Sequence, residues 1–200
     1  MTATPAEGPV KLVLATHNAH KVEELRRILG SQLDGIELIG YDGPEPVEDG
    51  DTFAENALIK ARAAAKHTGL AAIADDSGIS VDSLGGAPGI HSARYAGNRD
   101  DRENLELLLA NLAGITDRNA QFTCAAALVV GDFEHVEIGV WPGSVLLEPA
   151  GVGGFGYDPI FQPHGLEVSA SELSADEKNA ISHRALAFGQ IMPVVHARLL

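Results

Sequence analysis

The sequence holds little cysteine, little positive charge and no long apolar run, and each shortage excludes something. Cys124 is the only cysteine, so no disulfide can close within the chain and a reducing compartment, the cytoplasm, is the expected location. Lys and Arg number 14 against 28 Asp and Glu, a formal charge of −14, and the basic residues are scattered. That balance argues against a nucleic acid polymer as partner, because DNA and RNA binding draws most of its affinity from clustered cations meeting phosphates. A small anion stays within reach if a few cations converge on a pocket or a metal bridges the charges. No window is apolar for long enough to cross a bilayer, so no membrane partner is expected. Residues 1–9 have neither the basic start nor the apolar stretch of a signal peptide, and they read as a flexible lead into the fold.

What is present suits one α/β domain over residues 1–200, with 45% hydrophobic content to fill its core. The Gly-rich stretches, Gly85 to Gly89 and Gly151 to Gly156, are short and lie between apolar segments, so they read as loops, not linkers. Val10 to Ala15 reads as a buried strand, and Ala19 to Leu29 as a helix with Val22, Leu25 and Leu29 on one face. A second helix begins near Thr52, where Thr52 and Glu55 form a capping box, and runs to about Lys66. Leu70 to Ala74 is a compact strand expected to stop at a turn, Asp75-Asp76-Ser77-Gly78, before Ile79 to Val81 resumes it. Arg102 to Leu112 is helical, and Phe122 to Val130 pairs with Val136 to Trp141 through a Gly131-Asp132 turn. Ser174 and Glu177 form another capping box, and Ala185 to Leu200 is a helix that Pro193 kinks or interrupts. The order of elements predicts a mixed β-sheet flanked by helices.

Five constellations could carry chemistry. At the first strand-to-helix turn, Thr16-His17-Asn18-Ala19-His20-Lys21 presents helix amides and a lysine, which suit phosphate. Lys21 opposes the helix dipole by roughly 0.3 to 1 kcal/mol, a cost that a bound anion would offset. The acidic group Glu48, Asp49, Asp51 and Glu55 exceeds what one helix start can use, so it calls for a cation; Lys60 lies two turns further along. Asp75-Asp76 at the end of an apolar strand gains nothing for a core, and a metal or a proton must relieve it. One carboxylate can face the site while its neighbour ties down the turn, since adjacent residues of an extended chain point to opposite sides. Magnesium, taking one or two carboxylates plus waters and phosphate oxygens, could be met by one of the two aspartates together with Glu48. Gly151-Val152-Gly153-Gly154-Phe155-Gly156 matches the dinucleotide fingerprint in form only, because Tyr157-Asp158-Pro159 forbids the helix that must follow. It reads instead as a bent loop offering an aromatic face to a base. Lys178 with Ser182-His183-Arg184 supplies donors before the last helix. Each group alone also has a structural reading, as a capped turn, a solvated acidic loop or a solvated helix entrance.

Thr16-His17-Asn18-Ala19-His20-Lys21, Thr52-Phe53-Ala54-Glu55-Asn56-Ala57, Asp75-Asp76-Ser77-Gly78, Gly85-Gly86-Ala87-Pro88-Gly89, Ser92-Ala93-Arg94-Tyr95, Gly153-Gly154-Phe155-Gly156-Tyr157-Asp158-Pro159 and Ser182-His183-Arg184, in this order, resemble the inosine triphosphate pyrophosphatase family over nearly the whole chain. The resemblance implies a bilobed fold around a long mixed sheet, a cleft for substrate between the lobes, and a homodimer. It implies hydrolysis of purine nucleoside triphosphates such as ITP, dITP and XTP to monophosphate and pyrophosphate, clearing deaminated purines from the nucleotide pool. By the same resemblance Asp76 is the proton acceptor and a magnesium ligand, with Glu48 as second ligand. Thr16, His17, Asn18, Ala19, His20 and Lys21 would hold the triphosphate with Lys60 and Ser77, while Phe155, Gly156, Tyr157, Asp158, Lys178, His183 and Arg184 would complete the nucleotide site. His17 departs from the family, which often has glycine there; His20 and Ala185 also replace smaller residues. A phosphatase that removes terminal phosphate, or a nucleotide sensor without turnover, would use many of the same residues.

Overall fold

The structure, a computed structural model, describes residues 8–17 and 19–200, the side chains of residues 19 and 20 excepted. The expectation of a flexible lead therefore lies outside the described residues over positions 1–7. Strand β1 (Val10–Leu14) enters helix α1 (Ala19–Leu29), whose Val22, Leu25 and Leu29 are buried on one face as their spacing requires. Strand β2 (Ile36–Gly40), which the sequence reading passes over, returns parallel to β1. Helix α2 (Phe53–Thr68) starts where Thr52 Oγ1 accepts from the Glu55 amide at 3.1 Å. The Glu55 carboxylate reaches past the cap to the Asp51 amide at 2.7 Å, so it fastens the preceding loop to the helix. Strand β3 (Ala71–Val81), helix α3 (Asp101–Asn111), the hairpin β4 (Asn119–Val130) and β5 (Phe133–Val145), and strand β6 (Phe161–Pro163) follow. Helix α4 (Ala175–Ile181) carries the expected Ser174 and Glu177 capping box, and α5 (His183–Leu199) contains Pro193 without ending there.

The six strands are ordered β2-β1-β3-β4-β5-β6, with β1 parallel to β2 and β3 and the remaining pairs antiparallel. This is the mixed sheet the sequence predicts. Its central strands have 11 to 13 residues, and at roughly 3.3 Å per residue each spans two cores. One core packs Leu12, Leu25, Ile73, Leu128, Phe188 and Ile191 against α1 and α5. The other packs Ile79, Val81, Leu108, Phe122, Trp141 and Phe161 against α3. Along β3 the two cores meet at residues 75 to 78.

That meeting point corrects the expected turn. Asp75-Asp76-Ser77-Gly78 lies inside β3, fully paired with β4 from Asp75 opposite Ala126 to Gly78 opposite Thr123. Gly78 does not bend the chain. A Cβ there would lie 2.4 Å from Ser92 Oγ and 2.5 Å from the Gly89 carbonyl, so the glycine exists to admit the 3-10 turn Gly89–Arg94 against the sheet. Gly139 does the same for α5, since its Cβ would stand 2.1 Å from the His183 carbonyl. Gly139→Ala should therefore lower the unfolding free energy by about 1 to 3 kcal/mol, the usual cost of overpacking against atoms that cannot rotate away. Urea denaturation checks this, and an unchanged midpoint would contradict the close packing of α5 on β5.

Candidate active site

The site is built outward from the middle of β3. A strand turns successive side chains to opposite faces, so Asp75 and Asp76 meet different helices even though both border the same cavity. Asp75 faces α1 and α5, where Arg184 Nε and Nη2 donate to its Oδ2 at 3.2 and 3.1 Å and Lys21 Nζ stands 3.6 Å from Oδ1. Arg184 Nη1 reaches Glu24 Oε2 on α1 at 3.2 Å. Burial alone would raise the Asp75 pKa, but Lys21, Arg184 and Lys60 outweigh it and hold the carboxyl well below the usual carboxylate range. One aspartate does face away from Asp76 as expected, but, with no turn to tie down, Asp75 instead joins the phosphate-side helix to the start of α5.

Asp76 faces α2. Lys60 Nζ lies 3.4 Å from Asp76 Oδ1 and 3.1 Å from Glu48 Oε2, so one lysine serves two carboxylates. Asn56 on α2 also lowers the Asp76 pKa. These contacts do not balance the site. Burial pushes the Asp76 pKa up, Glu48 and Asp75 add to the rise, and Lys60 and Asn56 only partly offset it. A carboxylate left short of positive charge while facing a cavity is a place where a cation or a proton is favoured.

The far end is aromatic. The His183 ring is stacked 4.8 Å from Phe122 and 6.2 Å from Trp141, and its Nδ1 is buried without a hydrogen-bond partner. Burial first, then the charges of Arg184 and Lys178, lower its pKa well below 6.5, so the ring is neutral. Phe155 is 55% exposed, with Lys178 Nζ 4.5 Å from its ring centre. Its backbone is held by Asp158, which takes the Phe155 amide at 2.8 Å and pairs with Lys178. The Gly156 amide donates to Asp101 on α3 at 3.0 Å. Tyr157 differs from the expectation of an exposed aromatic face: it is buried, and its hydroxyl donates to the Ser92 carbonyl at 2.7 Å. The glycine-rich loop is followed by a single 3-10 turn, Asp158–Ile160, and then β6, which agrees with rejecting a dinucleotide fold.

At the phosphate-side turn Asn18 lies outside the described residues, as do the side chains of Ala19 and His20. The first turn of α1 holds no acidic residue and carries Lys21. His17 has an ordinary backbone, since among the described residues only glycines have positive φ. Its ring explains its presence: Nδ1 donates to Glu45 Oε1 at 2.9 Å and Nε2 to the Gly43 carbonyl at 2.7 Å. Both partners accept only, so the doubly protonated ring satisfies both, and the Glu45 bond followed by the Gly43 bond raises the His17 pKa above 6.5. The Tyr41 ring lies 5.4 Å away and Asp42 adds a further negative charge.

These groups line one cavity of about 680 Å³, within the range of small-molecule sites and roomy enough for a nucleotide. Thr16, His17, Lys21, Glu48, Lys60, Asp76, Ser77, Phe155, Gly156, Tyr157, Asp158, Lys178, His183 and Arg184 all border it, whereas of the acidic group only Glu48 does, Asp49, Asp51 and Glu55 standing outside its lining. Among the described residues no group of three or more His, Cys, Asp and Glu forms a metal cage. Sequence reasoning missed Phe122, Asn56 and Glu24. Phe122 reads as strand core, Asn56 falls within the Thr52 to Ala57 motif without a role assigned to it, and Glu24 meets Arg184 across 160 residues.

Two measurements follow from the charges. Asp75→Ala should destabilise the protein near neutral pH by about 3 kcal/mol, the low end for a broken buried pair, because Glu24 still faces Arg184. The folded carboxyl titrates below the unfolded one, so its stabilisation is complete above about pH 4 and shrinks as pH falls toward the folded value. Urea curves for wild type and variant should converge in that acid range, and a gap independent of pH would contradict the pairing. His17 titrates the other way: its stabilisation is present below its unfolded pKa of about 6.5 and is lost as pH rises through the raised folded value. An NMR titration of the His17 ring should give a midpoint above 6.5 that Glu45→Gln lowers; a midpoint indifferent to Glu45→Gln would rule out the contact in solution.

Residues 12–194 match the Ham1 family. The dITP/XTP pyrophosphatase of Leifsonia xyli subsp. xyli is 56% identical over 192 residues, covering 94% of this chain and 96% of that protein. The dITP/XTP pyrophosphatase of Mycobacterium tuberculosis is 48% identical over 195 residues, covering 94% and 96%. Among solved structures, a HAM1 protein from Coxiella burnetii superposes with a TM-score of 0.86 at 43% identity, covering 94% of this chain and 99% of that one. A nucleoside-triphosphatase, dITP/XTP pyrophosphatase, from Mycobacterium abscessus gives 0.77 at 46% identity, covering 92% and 100%. Both the sequence match across nearly the full length and the shared fold lead to one conclusion: the chain belongs to the Ham1 family.

Proposed function

We propose that the protein is a magnesium-dependent pyrophosphatase that hydrolyses deaminated purine nucleoside triphosphates, ITP, dITP and XTP, to the monophosphate and pyrophosphate. The observation that carries the reading is the pair Asp76 and Glu48, drawn to a single Lys60 in the wall of a cavity that also holds an orphaned, neutral His183. Relatives named dITP/XTP pyrophosphatase at 48 to 56% identity support the choice of substrate class.

The donor set suits magnesium. Two hard carboxylates with excess negative charge, and room for phosphate oxygens, match an ion that takes one or two carboxylates and shares the rest of its shell with substrate and water. Glu48 and Asp76 would hold it. When bound, the ion would neutralise charge on the triphosphate and polarise its phosphorus–oxygen bonds.

The chain's own groups account for the remaining steps. Lys21, Lys60 and the amides at the start of α1 bind the phosphate chain, and Ser77 borders the same space. Asp76 accepts a proton from the water that attacks the α-phosphorus; the new phosphorus–oxygen bond forms as the bond to pyrophosphate breaks, and pyrophosphate leaves with the electron pair. An elevated pKa makes Asp76 a stronger base than an exposed aspartate, provided it is ionised when the water arrives. Positioning and charge neutralisation supply most of what phosphoryl transfer needs. The base stacks on Phe155, while His183 and Arg184 meet its 6-oxo group. Adenine offers an amino group there, which leaves a buried donor unpaired.

A homodimer in the cytoplasm acting on free nucleotides belongs to the same reading. Cys124 is free and buried, which suits a reducing compartment, and among the described residues no helix is long and apolar enough to cross a membrane.

Incubation with XTP or dITP and magnesium should release pyrophosphate and the monophosphate, and chelator should stop it. Asp76→Asn should lower turnover by roughly 10²-fold or more while nucleotide still binds. Orthophosphate with the diphosphate would point to a terminal phosphatase, and no turnover on any triphosphate would leave a sensor.

A further inference from the structure

Asn56 occupies a position that the proposed chemistry does not yet use. It lies on α2 one turn before Lys60, so both side chains project from the same face toward β3. Although polar, it is only 3% exposed. Its Oδ1 accepts from the Gly50 amide at 2.9 Å. A backbone N–H can only donate, which fixes the carboxamide with its oxygen toward Gly50 and leaves its N–H groups to act on Asp76, whose pKa Asn56 lowers.

The loop that Asn56 grips is the one bearing Glu48, two residues before Gly50. A Cβ on Gly50 would lie 2.8 Å from Asn56 Oδ1 and 2.7 Å from Glu55 Cβ, so the loop backbone presses directly on this helix face. One rigid amide therefore holds the loop that carries Glu48 and acts on Asp76 from the same helix face that supplies Lys60. Alanine offers neither function, and serine is too short to reach from Gly50 to Asp76.

We propose that Asn56 is a positioning residue that locks the Asp76 carboxylate to the Glu48-bearing loop, so that the two carboxylates are aimed together at a divalent cation. The inference rests on the metal reading above and extends it to a group that touches neither substrate nor metal. Lys60 cannot replace it, since its ammonium neutralises both carboxylates without fixing a direction. Supporting residues of this kind typically change metal affinity or activity about 10- to 100-fold when removed.

The test uses manganese as the probe, followed by electron paramagnetic resonance and calorimetry on the full-length protein, beside steady-state turnover of XTP. Asn56→Ala and Asn56→Ser should each weaken manganese binding by roughly tenfold or more and lower kcat, with little change in KM for the nucleotide. Nucleotide affinity measured in chelator should stay at the wild-type level, which a general loss of structure would not allow. Should the alanine variant fail to fold, the serine variant, which keeps an acceptor for Gly50, decides the matter on the same readouts. Wild-type manganese affinity and kcat in a folded variant would overturn the role of Asn56 alone. Wild-type protein that binds no manganese and turns over in chelator would instead defeat the metal reading, and this inference with it.

Discussion

Two aspartates adjacent in an extended strand must face opposite ways, and when that strand is central in a sheet each must find its own counter-charge inside the protein. Much of the site follows from how differently the two are treated. On one face Asp75 receives Arg184 and Lys21, with Glu24 completing the network, and the carboxylate is held ionised. On the other face Asp76 shares Lys60 with Glu48 and is left short of positive charge. The first arrangement binds helices to the sheet; the second keeps a reactive group poised at a cavity wall. A protein of charge −14 concentrates Lys21, Lys60, Lys178 and Arg184 around that cavity, which is how an acidic chain can receive a polyphosphate.

The helices serve this division. Helix α2 delivers Lys60 and Asn56 to the Asp76 face, while α5 begins at Ser182 so that His183 and Arg184, neighbours in sequence, part toward the aromatic cluster and toward Asp75. Gly139 lets the start of α5 sit directly on the sheet, and Gly78 admits the turn whose Ser92 carbonyl receives Tyr157. Small residues thus set distances that the charged ones exploit.

How much of this could be read from the sequence depends on how local each cause is. The start of α1, the caps at Thr52 and Ser174 and the hairpin at Gly131 are decided within a few residues, and they stand where the pattern places them. Asp75-Asp76-Ser77-Gly78 looks like a turn because Gly after Ser usually marks one; the reason for that glycine is Ser92, which no local pattern shows. Strand β2 is a five-residue stretch whose partner β1 lies across a helix. The likeness of seven ordered motifs reached the family and gathered the cavity residues, yet Asn56 and the ring contacts of His17, 26 and 28 residues away along the chain, needed coordinates. His17 in particular reads as a departure from a glycine, whereas its ring clasps the phosphate-side turn to the segment before Glu48.

The claim underlying all of this is that neighbouring carboxylates on one strand carry opposite shifts. It is tested most directly by carbon-13 NMR titration of aspartate side-chain carboxyls, assigned by Asp75→Asn and Asp76→Asn, with and without magnesium. Asp75 should stay ionised below the usual carboxylate range, and Asp76 should take up its proton above it, moving down when magnesium is added. Two aspartates titrating together in the ordinary range, indifferent to magnesium, would contradict the account.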